Sequence, residues 1–462
     1  MKRLCFLLAC FVLILHANVN AQMSSAMINS SERTINGISL TDINSVKVEA
    51  TDDDKIITLC RSQTLNQSVF MLTTDGNNNV ECVIFPQDFY IYDFKIYKDF
   101  VYFCGTYLGV GFISKMHIQD ISIGTYFQYW LFPQTTVVYD LEVVLSSQVL
   151  VVTALGYNEN TSLYSVIYYD ENNPFTYQYS QTTYILQDIV YDDKYFYVVF
   201  SSEVMPYDKF GVQRFDNVNP QINYGYTFLF PNNGYETKSS TRRPEKREPT
   251  YFIETIGYMG KVLVATVLEH NYPVIASYPH HAIYMFDVDM DNQFIAKIQM
   301  LPNEGKPYLK DMVYNPWDNK LRLISHGMYE NTFTTLPYAN AMYADAIYAV
   351  DMSYTIPYAD VIIPTNSFDV EGTLNSIDVY RIDNYIVAGK SQTNGDIYWF
   401  DKKISVPNTS NGCYIWGYSN VYMYNSILPL NQVYYGFTTG PVLISNASLS
   451  HDVVNYNIQC LD

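Results

Sequence analysis

Imidazole and carboxylate groups crowd into two stretches of this 462-residue chain. His16 falls in an apolar leader, which leaves His117, His270, His280, His281, His326 and His451. Four of these lie in residues 269–282 (EHNYPVIASYPHHA) and 326–345 (HGMYENTFTTLPYANAMYAD), with Glu269, Glu330 and Asp345. Such a set can hold zinc or a transition metal, or move protons. Its spacing matches no known ligand or catalytic motif, so solvated loop histidines are the competing reading. Tyr272, Tyr278, Tyr329, Tyr338 and Tyr343 share the two stretches. Their rings can stack on sugars or peptide side chains, or simply pack the loops down.

A third stretch, 232–249, carries Lys238, Arg242, Arg243, Lys246 and Arg247 between prolines. It reads either as a clamp for a carboxylate or sulfate or as a solvated loop. Asp287, Asp289 and Asp291 have the D-x-D-x-D start of a calcium loop. Asn292 stands where that loop needs glycine, and Ile298 where it needs an acid. An ordinary hairpin turn fits as well, so no cofactor is expected, with calcium as a lesser alternative. There is no G-x-S-x-G, H-E-x-x-H, P-loop or G-x-G-x-x-G. No motif is specific enough to name a reaction.

These residues must be carried by strands. Residues 92–106 (YDFKIYKDFVYFCGT) form two apolar runs joined at Lys98-Asp99, a β-hairpin pattern. The pattern recurs at intervals of roughly 45–50 residues. Second strands begin near Ile56, Val101, Val149, Phe196, Val262, Leu321, Tyr385 and Val433. First strands begin near Val46, Asp93, Asp140, Asp188, Phe252, Asp311, Ser376 and Asn425. The expectation is an all-β fold: one β-propeller over 42–462, after a leader at 1–21 and a mobile lead-in at 22–41. Eight four-stranded blades are expected, near 42–90, 91–133, 136–182, 184–231, 250–301, 307–364, 372–418 and 421–460. Seven blades, or two β-sandwiches divided near 237–249, are the alternatives.

The intervals after the fourth repeat lengthen to roughly 60–65 residues, chiefly through 232–249, 269–282 and 326–345. Blade-to-blade links and second-to-third-strand links leave a propeller on one face. The three insertions therefore map to one rim, where long loops usually carry function. The expected ligand contacts are His270, His280, His281, His326 and Tyr329, with Arg242 and Arg243 at the edge.

Lys2 and Arg3, the apolar run 4–15 and Val19-Asn20-Ala21 read as a secretory signal. A lipid anchor at Cys10 is the alternative. No later apolar run is long enough to span a membrane. The chain carries 46 acids against 27 bases and a net charge of −19, which counts against nucleic acid as a partner. Tyr, Phe and Trp make 16% of the chain, a composition suited to strands. Beyond the leader stand Cys60, Cys82, Cys104, Cys413 and Cys460. Isolated strand cysteines behave as small buried hydrophobes. Cys413 and Cys460 are the candidate disulfide, both falling late in adjacent expected blades.

The stretch YDFKIYKDFVYFCGT, followed by GVGFISKM, resembles secreted β-propeller proteins of Bacteroidetes with a VYFCGT…GFI pattern. That resemblance implies the fold and an exported setting, and assigns no functional residue. Two functions follow from the rim. One is an exported, non-catalytic binding scaffold for a glycan or protein. The other is a propeller glycosidase or polysaccharide-degrading enzyme using the same loops.

Overall fold

The structure, a computed structural model, describes residues 23–28, 34–35, 38–39, 42–51, 55–62, 64, 67–73, 79–124, 126–146, 149–192, 194–204, 207–231, 251–256, 261–268, 280–287, 294–300, 304–329, 342–352, 358–364, 373–380, 384–390, 397–403, 414–427, 431–433, 436–455 and 457–461. The fold is all-β, and its one described 3-10 segment of any length is Ile118–Ser122. The hairpin of residues 92–106 pairs as the sequence predicts, with Tyr97 opposite Phe100 across Lys98-Asp99. Lys98 takes the left-handed backbone of a tight turn.

Each repeat is an antiparallel four-stranded meander, and the meanders are arranged as the blades of a β-propeller. Blade one comprises Ile43–Ala50, Ile56–Ser62, Ser68–Thr73 and Asn79–Ile84. Blade two comprises Phe89–Tyr97, Phe100–Tyr107, Val110–His117 and Tyr126–Phe132. Blade three comprises Val137–Ser146, Val149–Asn158, Leu163–Asp170 and Thr176–Thr182. Blade four comprises Ile185–Tyr191, Tyr195–Val204, Tyr207–Asp216 and Asn223–Pro231. Tyr251–Ile256, Lys261–Leu268, His280–Asp287 and Phe294–Met300 form a fifth meander. Glu304–Asn315, Lys320–Tyr329, Met342–Asp351 and Tyr358–Pro364 form a sixth. The last combines Thr373–Tyr380, Asn384–Lys390 and Ile397–Lys403 with the N-terminal strand Met23–Ile28. First strands pack side by side around the ring, and that of the last meander packs on that of the first.

Eight blades are therefore not formed. Five meanders stand as separate five-stranded sheets, and the fifth and sixth are joined in one sheet of nine strands. The expected eighth blade, 421–460, is not a meander. The described strands within 414–461 lie around the outside of the ring and lend every blade one more strand. Tyr414–Ile427 pairs first with the sixth meander and then with the fifth. Asn431–Val433 follows on blade four, Thr438–Pro441 on blade three and Leu443–Ser448 on blade two. Ser450–Asn455 then pairs with blade one. Asn457–Leu461 closes on Met23–Ile28. We call this segment the belt. It alternates and turns like a blade, yet each piece finds its partner on a different blade. The expected lead-in likewise contains a paired strand, Met23–Ile28, held between Ile397–Lys403 and the belt.

Neighbouring blades bury the faces between them. The third strand of blade one is buried at every position, because blades cover it on both sides. Between blades one and two sit Phe70, Phe85, Phe94, Phe103 and Phe127, mostly edge-to-face at 5.2–5.5 Å. Each fully buried ring contributes about 2–3 kcal/mol, and rings fill the gap between two twisted sheets. Comparable cores join blades two to three and three to four. Cys104 is buried as a small hydrophobe between blades two and three, and Cys60 and Cys82 are buried in the core shared by blade one and the last meander; burial pushes the thiols of Cys82 and Cys104 up. Cys460 lies in the belt opposite Ser25, while Cys413 lies outside the described residues.

Candidate functional site: the charged ring and the rim of the fifth and sixth meanders

The first strands carry an arrangement that the sequence reading did not single out. Six of them contain a one-residue bulge at one place: Ser45/Lys47, Ile91/Asp93, Val138/Asp140, Leu186/Asp188, Leu309/Asp311 and Leu374/Ser376. A bulge bends its strand and re-aims the next side chain. Opposite the bulge of blade two, Gly105 lies so close that a Cβ would meet the Tyr90 carbonyl oxygen at 2.0 Å. From blade one, Arg61 donates to the carbonyls of Ile91 and Tyr92 at 2.7 and 2.9 Å.

After each bulge comes a charged or polar residue, and two residues on there is often another. The acids reach across to the following blade. The Leu141 N–H donates to Asp93 Oδ2 at 3.2 Å, and the Ile189 N–H to Asp140 Oδ2 at 3.1 Å. The Ile377 N–H donates to Asp311 Oδ2 at 2.9 Å, beside Ser376 Oγ at 2.6 Å. One step further along, the Ile96 N–H donates to Glu49 Oε2 at 2.7 Å. The Ala50 N–H donates to Asp378 Oδ2 at 2.8 Å. Each contact joins an acid to the backbone of the next blade, and Asp378 makes the one that closes last onto first. Charge-assisted bonds of this kind are the stronger hydrogen bonds of proteins.

Two lysines balance the ring. Lys47 Nζ lies 2.7 Å from Asp93 and 3.2 Å from Glu49. Lys95 Nζ lies 3.7 Å from Glu49 and 3.8 Å from Glu142. Glu142 and Glu49 hold the Lys95 ammonium well above its ordinary pKa. Burial works against charge on Lys47, but Asp93 and Glu49 outweigh it and raise that pKa too. The acids move in the same direction for another reason. Burial, then Asp188 and Asp93, push Asp140 well above the usual carboxylate range. Burial also raises Glu142 and Asp311, and pushes Asp378 up to about 7.

This arrangement has a measurable pH signature. A carboxyl whose folded pKa is raised prefers its proton in the folded state, so its contribution is full below the unfolded pKa and fades as pH climbs through the folded one. For Asp378 that window runs from about 4 to about 7. Thermal stability should therefore rise as pH falls from about 8 to about 5. Asp378→Asn keeps an oxygen for the Ala50 N–H and removes the titration. We expect it to raise stability at pH 8 by about 1–2 kcal/mol, below the full shift because Asp378 is only half-buried. Near pH 5 it should change little. Melting curves of both proteins across that range check this, and parallel pH profiles would refute it.

Of the residues expected to bind a ligand, the structure describes four through their backbone. His280 and His281 begin the third strand of the fifth meander, opposite Leu268 and Val267. His326 and Tyr329 lie on the second strand of the sixth, His326 opposite Asp345 and Tyr329 opposite Met342. The expected loops 269–282 and 326–345 are thus shorter than anticipated, since 280–282, 326–329 and 342–345 are strand. His270, Arg242 and Arg243 lie outside the described residues. Asp287 ends its strand opposite Lys261, and Asp289 and Asp291 lie outside the described residues. Among the described residues, no group of three or more His, Cys, Asp and Glu is placed to hold a metal ion. Of the remaining histidines, His117 caps Ile118–Ser122, and His451 Nε2 lies 2.8 Å from Glu81, bridging belt to blade one.

Compared with known proteins, the chain matches no protein-family model and no curated protein. Of the expected resemblance, the β-propeller fold is upheld, and the link to secreted Bacteroidetes proteins finds no support in these comparisons. Among the described residues, no helix is long and apolar enough to cross a membrane.

Proposed function

We propose that this chain is an exported, seven-bladed, non-catalytic binding scaffold that holds a glycan or protein at the rim of its fifth and sixth meanders. One observation carries the proposal. The second and third strands of the sixth meander stay paired over ten positions, from Lys320–Asp351 out to Tyr329–Met342. A ladder held that far makes this end of the meander a stiff support. His326 and Tyr329 lie on its outer part, with Asp345 the register partner of His326. The corresponding end of the neighbouring meander begins with His280-His281. The two meanders share the belt strand Tyr414–Ile427, so their rims belong to one sheet. The charged ring favours a scaffold over a glycosidase, because its acids already accept backbone N–H groups or meet lysines. Export is part of the same proposal and rests on the leader at 1–21.

Substituting His280, His281 and His326 together by alanine should abolish binding in a glycan-array and protein pull-down screen of the mature protein. The melting temperature should move by no more than about 2 °C, since rim side chains contribute little to folding. A triple variant that keeps full affinity for the ligand found with the parent would overturn this placement.

A further inference from the structure

The belt forms the outermost strand of the sheets, so it is the surface that any neighbour at the equator meets first. Its composition departs from the rest of the chain. Residues 404–450 contain no Asp, Glu, Lys, Arg or His, in a protein that is 16% charged and carries 46 acids. A peripheral strand normally protects its open edge with lysine, proline or other charge. Residues 404–450 lack those charges, although the molecule as a whole is strongly acidic.

The open edge is best defined at Leu443–Ser448. This strand ends the sheet of blade two, pairing on one side with Tyr126–Phe132. All six of its residues are exposed or half-buried. Leu443 is 56% and Ile444 38% exposed, a large apolar pair for an edge. Pro441 interrupts the belt just before this strand, but Leu443–Ser448 itself has neither proline nor glycine. Among the described residues it is therefore an unpaired, neutral edge open to another strand.

We propose that this edge pairs antiparallel with the same edge of a second copy of the chain, forming a two-fold dimer with a continuous sheet. Two observations favour a second copy. The strand can pair with its own copy about Ser445. Two-fold antiparallel pairing then sets Ser445 against the partner copy of itself, Ile444 against Asn446 and Leu443 against Ala447, with no charge opposing charge. The second observation is electrostatic. Two copies with a net charge of −19 each repel wherever their acids approach. The uncharged stretch 404–450 is where copies can meet edge to edge with least repulsion.

A six-residue edge is small beside a standard interface, so the dimer should be reversible, with a Kd of about 1–100 μM. Sedimentation equilibrium of the mature protein in reductant, from about 1 to about 200 μM, reads this directly. Asn446→Lys and, separately, Ile444→Lys place a charge on an exposed position at the two-fold. Each should weaken association at least about tenfold and leave the melting curve in place. Raising salt should strengthen the parent dimer by screening the acidic surfaces. A parent that stays monomeric throughout the range overturns the proposal, whether or not either variant folds. So do lysine variants that fold and associate like the parent. A monomer that instead captures an unrelated uncharged strand peptide on this edge also overturns it, by making the occupant a different one.

Discussion

A chain ended after Lys403 should fail to hold its fold. The belt adds backbone pairing to the outer edge of all the blades, from Pro364–Tyr414 on the sixth meander round to Met23–Leu461 on the last. Removing it uncovers Asn79–Ile84, Tyr126–Phe132, Thr176–Thr182, Asn223–Pro231, Phe294–Met300 and Tyr358–Pro364 as open edges. It also strips one of the two partners from Met23–Ile28. Each lost backbone bond costs about 1 kcal/mol, and the open apolar edges invite aggregation. The total exceeds about 5 kcal/mol, comparable with the whole stability of many domains. Size-exclusion chromatography and a thermal melt of the truncated chain measure the effect. A soluble monomer melting with the parent would show the belt to be dispensable.

Asp93→Ala should be the most damaging single substitution in the charged ring. Asp93 is Lys47's closest carboxylate partner at 2.7 Å, accepts the Leu141 N–H and helps to push Asp140 up. Alanine leaves an amide without its acceptor and removes the nearest of the carboxylates that balance Lys47. Breaking a buried pair on one side costs about 3–5 kcal/mol; Lys47 keeps 25% of its side-chain exposure, which lowers the expectation to about 2–4 kcal/mol. Asp93→Asn should cost roughly half as much, because the amide oxygen still serves Leu141. In a Lys47→Met background that same change should fall below about 1 kcal/mol, since the charge it balanced is gone. Urea midpoints of the four proteins test the cycle. Equal costs in both backgrounds would mean that Lys47 and Asp93 are not coupled.

The hairpin repeat was legible because it is local. Turn chemistry at Lys98-Asp99 and the alternation on either side need no distant partner to be read. The charged ring was also written in the sequence, as acids and lysines in first strands such as VKVEA, DFKIY, DLEVV and SIDVY. It was missed because the residues meet only when blades close, and the bulge that aims them leaves no mark in periodicity. The belt was misread for the opposite reason. Its alternating aromatic runs look like blade strands, and NSILP followed by VYYGFT imitates a hairpin. Pairing partner, not pattern, separates the two cases. Met23–Ile28 reads as lead-in because six uncharged residues carry little strand signal until a sheet is waiting on each side. The rim was located from insertion length alone, and pairing continued further into those insertions than turn residues suggested.

The direction of the belt bears on how the chain reaches its native state. Blades follow the chain forward, while the belt visits them in reverse. Its first contact, Tyr414 with Pro364, spans a short stretch of chain; its last, Leu461 with Met23, spans nearly all of it. Contacts so distant in sequence would ordinarily slow folding through the entropy of closing long loops. Reverse travel avoids most of that penalty. Once Tyr414–Ile427 has docked, the segment for blade four lies a few residues from its place, and so on around the ring. The search is a zipper with short steps, and the contact of greatest sequence separation forms over the smallest remaining distance.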